Sequence, residues 1–97
     1  MGFMQIIECR TERADELIAL SEQWEKATEG KRTAKRAVVA RDRNDPQRHF
    51  IVVSFDSYES AMQNSQLAET QEFADKQSAL LTSPPVFYDL DVIDERL

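Results

Sequence analysis

Apolar positions along this chain fall into short stretches with a period near two and longer ones with a period near 3.6. Residues 3–10 read as a strand whose faces are Phe3/Gln5/Ile7/Cys9 and Met4/Ile6/Glu8/Arg10. Ala14, Leu17, Ile18, Ser21, Trp24 and Ala27 then recur at helical spacing. Thr11 is a candidate cap for that helix, and Gly30 suits the position just past its end. Residues 33–43 predict a second strand, centred on Ala37-Val-Val-Ala40, and residues 44–47 a turn containing Pro46.

Residues 49–55 form the strongest strand pattern. Ile51, Val53 and Phe55 point one way, and Phe50, Val52 and Ser54 the other. Asp56 and Glu59 have capping-box spacing for the next helix, where Tyr58, Ala61, Met62 and Ser65 share a face. A break is expected near Leu67, followed by a helix with the stripe Phe73, Ala74, Gln77, Leu80 and Leu81. Pro84 and Pro85 end it. Residues 86–93 predict the last strand, with Val86, Tyr88, Leu90 and Val92 opposite Asp89 and Asp91.

The order is β-α-β-β-α-β, a ferredoxin-like α+β plan with a four-stranded antiparallel sheet, over a single domain of residues 1–97. Strands one and three are central in that plan, and they are the most apolar here. A strand apolar on both faces is covered on both faces. Helices cover one. A second copy of the chain is the expected cover for the other. A domain of this length buries only about two-thirds of its unfolded surface, so association adds useful burial.

The hydrophobic fraction of 41% fits a folded globular chain, and the net charge of −6 argues against nucleic-acid or anionic-membrane partners. Apolar runs are too short to span a bilayer, and the N-terminal residues lack the features of a signal peptide. Cys9 is the only cysteine, so neither an intramolecular disulfide nor a thiolate metal cluster is expected. An intracellular, reducing location, the cytoplasm, is the simplest reading.

The run FIVVSFDSYESAM, residues 50–62, followed by Phe73, resembles the dimeric α/β-barrel superfamily, especially its small antibiotic-biosynthesis-monooxygenase-like domains. Their central apolar strand likewise runs into an aromatic-x-Ser/Asp-x-Glu-Ala helix start. The resemblance implies a homodimer whose sheets pack face to face to form a dimeric α/β barrel, with a pocket between each sheet and its helices. It also implies oxidation of aromatic or quinol-like substrates by dioxygen with no metal or flavin. A heme-degrading branch of the family binds heme through a histidine. This sequence departs from the pattern where many members carry a histidine in the second helix, since Asn64 or Ser65 falls there.

Candidate chemistry is weighed residue by residue. His49, the only histidine, is a candidate proton relay or, more plainly, a half-exposed strand-end residue beside the turn. Trp24 is a candidate stacking surface or a core anchor. Asn64 and Ser65 are candidate donors to a developing anion, or ordinary helix-end polarity. Asp89 and Asp91 are a candidate carboxylate pair or a solvated edge. Eight of the twelve Lys/Arg residues lie between Lys26 and Arg48, which reads as an anion site or as protection of an edge strand. Cys9 among apolar neighbours reads as an inert buried thiol.

The resulting expectation is a monooxygenase-like small-molecule-pocket protein, and more finely a cofactor-independent oxygenase of aromatic or polyketide-like substrates. His49 and Asn64 are then the candidate catalytic residues. Trp24, Met62, Asn64, Ser65 and Phe73 line the candidate pocket for a small hydrophobic or aromatic ligand. No cofactor and no metal is called for. The alternative is a non-catalytic ligand-binding or accessory homodimer of the same fold. A ligand-sensing regulatory domain is a third class, usually found in longer chains.

Overall fold

A computed structural model describes residues 2–97. Its elements are β1 (Phe3–Arg10), α1 (Ala14–Ala27), β2 (Arg36–Arg41), β3 (Arg48–Phe55), α2 (Tyr58–Ser65), α3 (Ala68–Leu80) and β4 (Val86–Asp91). The sheet order is β2-β3-β1-β4, and every neighbouring pair is antiparallel. The apolar strands β1 and β3 are therefore central and the charged strands are edges, as the sequence predicts.

Register sorts the side chains onto two faces. Phe3, Ile7 and Cys9 stand beside Phe55, Ile51 and His49 and are buried toward the helices. Leu17 of α1 is fully buried against Ile7, Cys9 and Ile51, with Phe73 and Leu80 of α3 at the margin. Burial of one such leucine contributes about 1.5–3 kcal/mol. A second cluster joins Phe3, Phe55 and Ala61 to Met62 and Ala34. Tyr58 meets the Phe3 ring edge-on at 5.4 Å.

The other face has no helix on it. It carries Met4 and Ile6 on β1, Phe50 and Val52 on β3, Val38 on β2, and Tyr88 and Leu90 on β4. Val38, Tyr88 and Leu90 are exposed. At one end the apolar patch meets a charged chain of contacts. Arg48 Nε donates to Glu8 at 3.0 Å and its Nη1 to Asp42 at 3.2 Å. The Tyr88 hydroxyl donates to Glu8 at 2.8 Å, and the Arg48 guanidinium lies 4.8 Å from the centre of the Phe50 ring.

The caps differ from the sequence expectation. α2 is capped one residue later, by Ser57, whose hydroxyl accepts from the Ser60 amide while Ser60 Oγ accepts from the Ser57 amide. The short hydroxyls reach these amides without the extra reach of an Asp/Glu pair. Thr11 does not cap α1. Its hydroxyl donates to the Leu80 carbonyl at 2.7 Å, and α1 starts after Arg13. Gly30 follows the α1 end with φ of +80°, a conformation that favours glycine.

Candidate functional site

The residues singled out in the sequence do not converge on one point. Trp24 and Phe73 do meet, on the facing sides of α1 and α3, with ring centres 6.4 Å apart and planes tilted by 55°. They line an open cleft of about 220 Å³ together with Leu20, Gln23, Ala27, Glu69, Glu72 and Lys76. The cleft lies between two helices, whereas the family resemblance implies a pocket between helices and sheet.

The polar edge of the Trp24 indole is already satisfied, since Nε1 donates to the Thr70 hydroxyl at 3.0 Å. That bond fixes the ring plane and leaves its faces for contact. Lys31 Nζ lies 2.5 Å from Glu69, and Lys76 Nζ lies 2.9 Å from Glu72. The hydrogen bond from Lys31 holds the Glu69 carboxyl below the ordinary glutamate range. The rim is thus charged but internally paired, and the floor is aromatic. Such a cleft suits a flat, mostly uncharged group.

Asn64 is buried and turned toward the α1–β2 connection. Its Oδ1 accepts from the Thr33 amide at 3.3 Å, and the Thr33 hydroxyl donates to the Ser60 carbonyl. This pair ties the loop before β2 to α2. Only the Asn64 NH₂ group remains to be offered to a ligand. Met62 packs against Phe3, Phe55 and Ala61. Ser65 is exposed, and its hydroxyl donates back to the Met62 carbonyl at 2.9 Å. The apolar stripe expected on α2 therefore turns by one position: Ala61 and Asn64 are its buried residues, not Tyr58 and Ser65. None of Met62, Asn64 and Ser65 lines the α1–α3 cleft.

His49 is 2% exposed, not half exposed, because register places it on the helix side of a central strand opposite Cys9. Its Nδ1 lies 2.9 Å from the Gln47 carbonyl, which can only accept, so Nδ1 carries the proton in that bond. Nε2 is buried and has no partner among the described residues. Cys9 is 1% exposed, and burial pushes its thiol pKa up, which disfavours the thiolate. Asp89 accepts from Gln5 at 3.2 Å on the edge strand. Among the described residues, no group of three or more His, Cys, Asp or Glu could hold a metal ion. Among the same residues, no helix is long and apolar enough to cross a membrane.

The sequence reading found Trp24 and Phe73 but missed their neighbours. Leu20, Trp24 and Ala27 are spaced four and three apart, and Glu69, Glu72, Phe73 and Lys76 follow the same rule. Each row is legible as a helix face. That the two rows face each other is a tertiary fact.

No family model and no curated protein sequence matches the chain. Solved structures do match. One is SnoaB, a cofactor-independent oxygenase from Streptomyces nogalater, at 8% identity and a TM-score of 0.82, covering 97% of this chain and 95% of that one. Rv0793 from Mycobacterium tuberculosis is 13% identical with a TM-score of 0.80, and 98% of each chain is covered. A Caulobacter crescentus protein provisionally described as an antibiotic biosynthesis monooxygenase is 8% identical, with a TM-score of 0.82 over 96% of this chain and 91% of that one. At such identities the likeness is one of backbone. The chain has the ferredoxin-like fold of the antibiotic-biosynthesis-monooxygenase-like proteins, the fold of the dimeric α/β-barrel superfamily.

Proposed function

We propose that this chain is a monooxygenase-like homodimer that binds a small aromatic ligand, with the Trp24–Phe73 cleft as its site. The observation that carries this reading is the meeting of the two rings in an open cleft whose charged groups are already paired. Stacking on the indole supplies affinity, and the paired rim imposes little charge selection.

Trp24 is the only tryptophan, so its fluorescence reports the site directly. Titration with naphthol- and anthraquinone-type ligands is expected to quench it saturably. Phe73→Ala should weaken binding by about tenfold, the effect of losing about one aromatic contact. Quenching that never saturates, or is untouched by Phe73→Ala, would remove the cleft as the site.

A second reading is a cofactor-independent oxygenase of aromatic or polyketide-like substrates. It is favoured by the backbone shared with SnoaB, whose matching structure is that of an asparagine-to-alanine mutant. In this reading the Asn64 NH₂ group is the donor to a developing oxyanion. His49 would relay a proton only if the strand end opened to admit substrate. Oxygen uptake with anthrone and quinol substrates, compared with Asn64→Ala, tests it. Uptake that falls by about a hundredfold in the variant supports the oxygenase. Saturable binding without uptake leaves the binding protein.

A further inference from the structure

Eight basic residues crowd the stretch from Lys26 to Arg48, and the fold disposes of them unequally. Lys31, Lys35 and Arg48 meet the carboxylates of Glu69, Asp56 and Glu8. Lys26 lies in the last turn of α1, and Arg32 Nη1 donates to the Glu25 carbonyl at 2.7 Å. Arg36, Arg41 and Arg43 are exposed, and none joins an ion pair among the described residues. Arg36 stands at the start of β2. Arg41 ends that strand and Arg43 follows it, and the two line an open hollow of about 670 Å³ with Asp42, Asn44 and Pro46.

The carboxylates of the same turn are engaged elsewhere. Asp42 accepts from Arg48 Nη1 at 3.2 Å and from the Asn44 amide at 2.8 Å. Asp45 lies 2.9 Å from Arg10 Nη2 and accepts from the Gln47 amide at 3.2 Å. The hydrogen bond from Arg10, then that from Gln47, holds the Asp45 carboxyl below the ordinary aspartate range. These bonds fix the turn and leave its two arginines as uncompensated charge. Protection of the sheet edge accounts for Arg41 but not for Arg43, which lies past the last residue of the strand.

From these features we infer that the β2–β3 turn is a binding site for the phosphate group of a small molecule, held by Arg41 and Arg43. Two guanidinium forks present more donors than the two oxygens of one carboxylate can satisfy, whereas a phosphate monoester offers three terminal oxygens. The hollow is larger than the phosphate alone needs, which leaves room for the body of the molecule. The chain's net charge of −6 opposes a long polyanion such as nucleic acid, but not one phosphate at a locally positive turn. Arg41 is the register partner of His49 and so stands on the helix side of the sheet, away from the uncovered face. The hollow shares no lining residue with the Trp24–Phe73 cleft, so it is a separate site.

Titration calorimetry at constant ionic strength tests the site, with inorganic phosphate, pyrophosphate and malonate as probes. Phosphate and pyrophosphate should each bind saturably at one site per chain, and malonate about tenfold more weakly or worse. Arg41→Gln and Arg43→Gln should each weaken phosphate binding by about tenfold, the loss of one charge-assisted contact. Arg36→Gln removes an equally exposed, unpaired arginine from the far end of the same strand and should leave binding unchanged. Circular dichroism checks that all three variants keep the parent fold. Three results would overturn the inference: no saturable heat with either phosphate probe, malonate binding as tightly as phosphate, or an equal loss from Arg36→Gln and Arg41→Gln. The last would show a general effect of net charge rather than a site.

Discussion

Glu8 shows how one residue's chemistry is set by its neighbours across strands. The hydrogen bond from Arg48, then that from Tyr88, holds its carboxyl below the ordinary glutamate value of 4.5. A depressed folded pKa stabilises the fold above the unfolded value, and that contribution is lost as pH falls through the folded value. Wild type and Glu8→Gln should therefore differ by a constant urea midpoint above pH 4.5, and the difference should shrink steadily below it. A difference independent of pH would show that the carboxylate charge does not matter. The same partners push the Tyr88 hydroxyl above its ordinary range, because its proton is held by Glu8. None of this is readable from Glu8 alone, since its partners lie 40 and 80 residues away. Asn64 and His49 teach the same lesson. Their types suggest chemistry, but one amide oxygen is committed to Thr33 and one imidazole is enclosed beside Cys9.

Elements are legible to the extent that their signals are local. Hydrophobic period placed the strands and helices, and the break between α2 and α3 falls at Leu67 as the pattern predicts. Caps were less legible, because several adjacent residues could serve. Asp56, Ser57, Glu59 and Ser60 all suit a helix start, and only the chain's entry angle selects the Ser57–Ser60 pair. Ser57→Ala should destabilise the protein by about 1 kcal/mol, read as a lowered thermal midpoint, because the Ser60 amide loses its acceptor. Asp56→Ala should cost less than a few tenths of that amount, since its side chain meets only Lys35, on the surface. Equal effects of the two substitutions would restore the acidic cap.

At the scale of the molecule, the uncovered sheet face dominates. Met4, Ile6, Phe50 and Val52 form an apolar centre, and Val38, Tyr88 and Leu90 extend it to both edges. An exposed patch of this kind marks an interaction site. Val52→Asp should leave the helix-side core intact and convert the proposed homodimer to monomer, measured by sedimentation with circular dichroism as the check on folding. A charge at the centre of a desolvated interface is strongly unfavourable. A Val52→Asp chain that still dimerised would move the interface elsewhere. The Trp24–Phe73 cleft lies on the opposite layer, between the helices, so ligand binding at that cleft is expected to survive the loss of the dimer.

By itself the sequence determined the element order, the central position of β1 and β3, the acidic and basic edges, and a second face that needs covering. These follow from period, composition and topology, which act over a few residues at a time. The tertiary structure alone decided that Trp24 faces Phe73, that Asn64 braces a loop and that His49 is shut beneath the helices. Those outcomes depend on strand register and helix docking, where one residue's shift exchanges the buried and exposed faces.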